Sequence, residues 1–106
     1  MLPVHAVRFL EDRKARGYTP STIVGYEYHL TKFYKFSRTL TSRQIGRFLV
    51  HVQQVEGLSR GYAWTLGRSL RCYSKWLYRN RLIHSAIEVP MPRSQFELYR
   101  NCTGRS

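Results

Sequence analysis

A chain of 106 residues is long enough for one domain with one modest core. Its apolar fraction of 42% and mean hydropathy of −0.45 argue for a folded, soluble protein over a disordered one, and no apolar run approaches the roughly 18 residues of a membrane span. Eighteen Lys and Arg against six acids leave a net charge of +12 and a pI near 10.4, which points to a polyanion partner: DNA, RNA or an anionic membrane surface. Residues 1–10 carry His5 and Arg8 where a signal peptide would be apolar, so a cytoplasmic location is expected. Cys72 and Cys102 lack a CxxC spacing and read as free thiols, and four scattered histidines form no zinc constellation.

No alternating strand pattern stands out, and four segments show helical periodicity. The first runs from about Pro3 to Arg16, with Val7, Leu10 and Phe9 as its apolar side. Gly17 stops it, with Lys14 and Arg16 in the last turn. Thr19 caps the second segment and Pro20 takes its first helical position, where a missing N–H costs nothing. Ile23, Tyr26, Leu30 and Phe33 then share one face, and Gly25, Tyr28, His29, Lys32 and Lys35 fall mostly on the other, to about Ser37. Thr41 and Gln44 make a capping box for the third helix, with Leu40 and Ile45 as its hydrophobic staple. Ile45, Phe48, Leu49 and Val52 form the buried stripe, and Gly57 ends it.

The fourth helix starts at Ser59 and reaches about Asn80. Ala63, Leu66, Leu70, Tyr73 and Leu77 are spaced three and four apart, a continuous seam. Beyond Ile83 the pattern weakens. Two prolines, Pro90 and Pro92, mark an extended linker, and a short helical turn around Phe96–Tyr99 is the only candidate element in the tail. The domain is expected to span 1–89, with 90–106 as linker and flexible tail. The fold class is all-α, a small orthogonal bundle of four to five helices.

Function is read from what the seam leaves over. Arg60, Trp64, Arg68, Arg71, Lys75 and Arg79 are also three or four apart, a stripe about one and a half nanometres or more long. No acid occurs from Gly57 to Ile87. Such a stripe matches a phosphate-lined groove, although a basic face on one helix is as often merely solvated. Trp64 within the stripe is poorly explained by solvation alone. The outer side of the second helix adds His29, Lys32 and Lys35, and two basic faces suggest a clamp. Ser21, Thr22 and Arg60 crowd helix N-termini, where free N–H groups and short hydroxyls suit phosphates and base edges; for Thr19 and Ser59 ordinary capping is the better reading. The aromatics Tyr26, Phe33, Phe48, Tyr73 and Trp76 lie on core stripes and read as packing.

The run Arg16-Gly17-Tyr18-Thr19-Pro20-Ser21-Thr22-Ile23, followed by Tyr26, Leu30 and Phe33, resembles the opening of the core-binding domain of tyrosine recombinases and phage integrases. Ile45, Phe48 and Leu49 resemble that family's middle helix. Gly57-Leu58-Ser59, Leu66, Arg71 and Trp76-Leu77 resemble its last long helix, and Arg81-Leu82-Ile83 with the prolines resembles its exit to the catalytic domain. The resemblance covers about residues 4–93. It departs at Gly61, where the family often has Thr, and at His84-Ser85, where Asn-Pro is usual.

The resemblance implies a SAM-like helical module, bacterial or phage-encoded, that forms one arm of a clamp on duplex DNA during integration or recombination. Its partners would be double-stranded DNA and other recombinase protomers, with no membrane, cofactor or small-molecule substrate. Carried onto this sequence, Thr22, Gly25, Tyr28 or His29 of the second helix and Arg60, Trp64, Thr65 and Arg68 of the fourth would approach DNA. Arg71 matches the family's frequent Arg, read as a phosphate contact. With Ser21, Lys32 and Lys75 these are the candidate DNA-binding residues. The family's strand-cutting Tyr, Arg, Lys and His set, including His-x-x-Arg, has no counterpart here, so no catalysis is expected of this chain alone. Two other readings stay open: a standalone regulator that occupies recombination sites or pairs with a full-length recombinase, and a basic helical RNA-binding protein.

Overall fold

The computed structural model describes residues 2–90, and within them the chain is all-helical: α1 (Val4–Ala15), α2 (Pro20–Phe36), α3 (Ser42–Gln54) and α4 (Arg60–Arg79). The three caps expected from the sequence form. Thr22 N–H donates to Thr19 Oγ1 at 3.4 Å, Gln44 N–H to Thr41 Oγ1 at 3.1 Å, and Tyr62 N–H to Ser59 Oγ at 3.1 Å. Each satisfies one of the N–H groups that a helix start leaves unpaired. Pro20 opens α2.

Three of the helix ends turn on a left-handed residue: Gly17 (φ +86°), Gly57 (φ +70°) and Arg81 (φ 58°). After α1, Tyr18 N–H reaches back to the Arg13 carbonyl at 3.2 Å; after α4, Leu82 N–H reaches the Leu77 carbonyl at 2.9 Å. These are the back-bonds that close a helix C-terminus. Arg81 makes its turn without glycine's freedom, held by the burial of Leu82 against the core.

α4 is the centre of the bundle and packs on α1, α2 and α3. Its seam of Ala63, Leu66, Leu70, Tyr73 and Leu77 is no more than 2% exposed. Ile23, Leu30 and Phe33 of α2 and Ile45, Phe48, Leu49 and Val52 of α3 join the same core. Phe9 of α1 meets the rings of Tyr26, Tyr73 and Trp76 edge-on, at centroid distances of 5.4, 5.3 and 5.6 Å. Edge-to-face geometry puts positive ring edges on negative ring faces.

On α1 the expected apolar side is corrected by one residue. Val7 is 43% exposed, and Ala6 is buried with Phe9 and Leu10. Ala6, Leu10 and Arg13 follow one another at spacings of four and three, so they lie along one side of the helix. Val7 lies off that line, where no neighbouring helix covers it.

The segment after α4 turns back instead of leaving the domain. Leu82, Ile83, Ile87 and Val89 pack against the core. Ser42 Oγ donates to the Glu88 carbonyl at 2.5 Å. Gly46 sits so close to Pro90 that a Cβ there would lie 3.2 Å from its Cγ. Contacts with the bundle therefore continue along this segment as far as Pro90, the last described residue. The helical turn expected around Phe96–Tyr99, and Cys102, lie outside the described residues. Among the described residues no helix is long and apolar enough to cross a membrane.

Candidate nucleic-acid interface

At roughly 100° per residue, Arg60, Trp64, Arg68, Arg71, Lys75 and Arg79 fall within an arc of roughly 100° whose centre lies opposite the hydrophobic seam. Arg60, Arg68, Arg71, Lys75 and Arg79 are all exposed, and Trp64 is half-buried. The stripe runs roughly 28 Å along the helix at about 1.5 Å per residue. The ion pairs among the described residues join Asp12 to Arg13 and Arg16, and Glu56 to Lys32 and His51, so no acid there neutralises the stripe. The Arg68 guanidinium carbon lies 5.6 Å from the centre of the Trp64 ring. That cation–π contact gives the tryptophan a place on a charged face and restrains the arginine beside it.

Beside the stripe, α2 and α4 form a shallow groove. It is lined by Thr22, Gly25 and His29 from α2 and Thr65, Arg68 and Ser69 from α4, with Tyr18 and Tyr26 at its edge. Five of the candidate residues thus come together although α2 and α4 are far apart in sequence. Nothing lies within 4 Å of where a Gly25 Cβ would be, so the groove is open over the α2 backbone there. Thr65 Oγ1 donates to the Gly61 carbonyl at 3.1 Å, which leaves its oxygen free to accept. Thr22 Oγ1 lies 2.9 Å and Ser21 Oγ 3.4 Å from Thr19 Oγ1, a hydroxyl cluster at the start of α2. Tyr28 stands 55% exposed further along α2.

The positive charge expected of α2 is largely taken up within the domain. Lys32 Nζ lies 2.6 Å from Glu56 Oε1, and the lysine holds the Glu56 carboxyl below its ordinary value. His29 is half-buried, with Nδ1 2.7 Å from Ser69 Oγ. Of the three basic residues singled out on α2, only Lys35 remains an exposed cation outside the ion pairs of the described residues.

Burial lowers the His29 pKa from its ordinary 6.5. The unfolded chain then takes up a proton at a higher pH than the folded one. Stability from this residue is complete above pH 6.5 and declines as pH falls from there through the lower folded value. Replacing His29 by Gln, which keeps an amide for Ser69, should flatten the thermal midpoint between about pH 7 and 5 relative to the parent. An equally steep decline in the variant would assign the acid sensitivity to another group.

Two residues beside the groove, Arg13 and Tyr26, make contacts that sequence spacing did not reveal. Arg13 is only 11% exposed and sits between rings, its guanidinium carbon 5.1 Å from the centres of both Phe9 and Tyr18. Its Nη2 binds Asp12 at 2.8 Å and its Nη1 donates to Tyr18 Oη at 3.3 Å, which positions Tyr18 at the edge of the groove. The signal was its place one turn after Phe9 on the apolar side of α1. Tyr26 faces the half-buried Cys72, donating to its sulfur at 3.7 Å; burial and that thiol push the phenol up to about 12, so it stays neutral. Among the described residues no group of His, Cys, Asp or Glu could hold a metal ion. Compared with models of known protein families, with curated proteins and with solved structures, the chain matches none.

Proposed function

We propose that this chain binds duplex DNA as the core-binding module of a tyrosine-type site-specific recombinase or integrase relative. Strand cutting would fall to residues that this sequence does not contain. The observation that carries the reading is the α4 stripe: five exposed cations opposite the core seam, none of them paired with an acid among the described residues. A helix that presents one cationic face fits a groove walled by phosphates. The adjoining α2/α4 groove supplies neutral groups, Thr22, Thr65 and the free nitrogen of His29, of the kind that read base edges. An anionic membrane fits less well. Interfacial helices bury a broad apolar face in the lipid, and the exposed side of α4 offers only the two separate aromatics Trp64 and Tyr78 among its cations. The family assignment rests on the resemblance of residues 4–93.

Competition separates the DNA reading from the RNA reading. With a labelled DNA duplex bound, unlabelled duplex DNA should displace it at about one-tenth the concentration needed of a double-stranded RNA of equal length, because the deep, narrow major groove of A-form RNA does not admit a helix. Equal competition by the RNA would replace this reading with the RNA-binding one.

A further inference from the structure

Away from the α2/α4 groove, the C-terminal half of α4 and the returning segment enclose a second, open depression. Its α4 wall is Ser74, Lys75, Tyr78 and Arg79, and its other wall is Ala86 and Ile87. At the base, Ser74 is 1% exposed, yet its hydroxyl has no hydrogen-bond partner among the described residues. Buried polar groups are normally paired, so this one is short of an acceptor or donor. Tyr78 is 49% exposed, a large aromatic surface that no described residue covers. Lys75 and Arg79 stand at the rim, outside every ion pair of the described residues. Residues 83–90 make no backbone–backbone hydrogen bond among the described residues, and apart from the Glu88 carbonyl, which accepts from Ser42 Oγ, the N–H and C=O groups beside Ala86 and Ile87 have no partner there.

We propose that this depression is the docking site for an extended, acidic segment of a partner protein. Its carboxylates would meet Lys75 and Arg79, an apolar side chain would cover Tyr78 and Ile87, and a backbone carbonyl would accept from Ser74. The unpaired edge of the returning segment distinguishes a peptide from a free anion. An anion satisfies the two cations and leaves the edge as it was, whereas an extended chain pairs with it, as peptides do when they add to an exposed backbone edge. This inference does not depend on the DNA reading, although Lys75 and Arg79 belong to the stripe as well. Ala86 is exposed and lies outside the stripe, so a change there addresses the depression alone.

The test titrates the full chain into a short fluorescein-labelled peptide in which leucines alternate with aspartates, read by anisotropy, with duplex-DNA binding measured in parallel. Saturable binding is expected, weakened about tenfold or more by Ala86→Trp, which fills the depression, and by exchange of the aspartates for asparagines. Ser74→Ala, which removes the hydroxyl and little else, should weaken it about threefold. DNA binding by Ala86→Trp should stay within about twofold of the parent. Equal binding of the asparagine peptide, undiminished binding by Ala86→Trp, or no saturable binding of the aspartate peptide overturns the proposal. Peptide binding by a parent chain that ignores DNA would sink the DNA reading and leave this one standing.

Discussion

Replacing both Arg68 and Arg71 by Ala should cost about a hundredfold in affinity for duplex DNA at moderate salt, close to tenfold for each lost charge-assisted contact. It should also reduce the slope of log K against log salt by about 2, since each phosphate contact contributes roughly 0.9 through counterion release. Both side chains are exposed on the face opposite the seam, so the fold should tolerate the change to within about 0.5 kcal/mol. Affinity and salt slope are read together by anisotropy at several salt concentrations, with a thermal melt as the control for folding. A double variant with the parent's slope would show that the α4 stripe does not meet phosphates. A loss of affinity with no change of slope would move Arg68 and Arg71 from backbone contacts to neutral ones. Arg68 carries the sharper version of this expectation, because the Trp64 ring already restrains it and less entropy is lost on binding.

Phe9→Ala should destabilise the domain by about 3–5 kcal/mol, toward the upper end of the range for a buried aromatic. Phe9 is fully buried and is the ring on which Tyr26, Tyr73 and Trp76 all meet edge-on. Its loss also strips the Arg13 guanidinium of one of its two ring partners, inside a site that leaves the arginine little water. For a domain of this size the thermal midpoint should fall by roughly 15–30 °C, a large share of the roughly 5–15 kcal/mol that holds such domains together. Chemical denaturation gives the comparison directly. A loss below about 1.5 kcal/mol would mean that α1 does not pack as a full member of the core.

The helices were legible because their causes are local. Thr19, Thr41 and Ser59 satisfy N–H groups within three residues of themselves, Gly17 and Gly57 supply left-handed stops, and the stripe of α3 and the seam of α4 follow from spacing alone. The alignment of cations on α4 was equally legible, since a helix fixes the angle between its own residues. What failed on α1 was of another kind. Both Ala6 and Val7 are apolar, and which of them is buried depends on where α2 and α4 lie, not on the period of α1.

By itself, then, the sequence determined where helices start and stop, which residues share a face, and that one face of α4 is cationic and free of acids. Only the tertiary structure decided which of those faces are occupied. It pairs Lys32 with Glu56 across 24 residues and His29 with Ser69 across 40, which turns α2 from a basic face into a mostly neutral wall. It buries Arg13 between rings and folds residues 83–90 back over α3 and α4. The physical reason is range. Hydrogen bonding within a helix and side-chain periodicity act over a turn or so of chain, whereas desolvation and charge pairing depend on neighbours that only the packed bundle brings together.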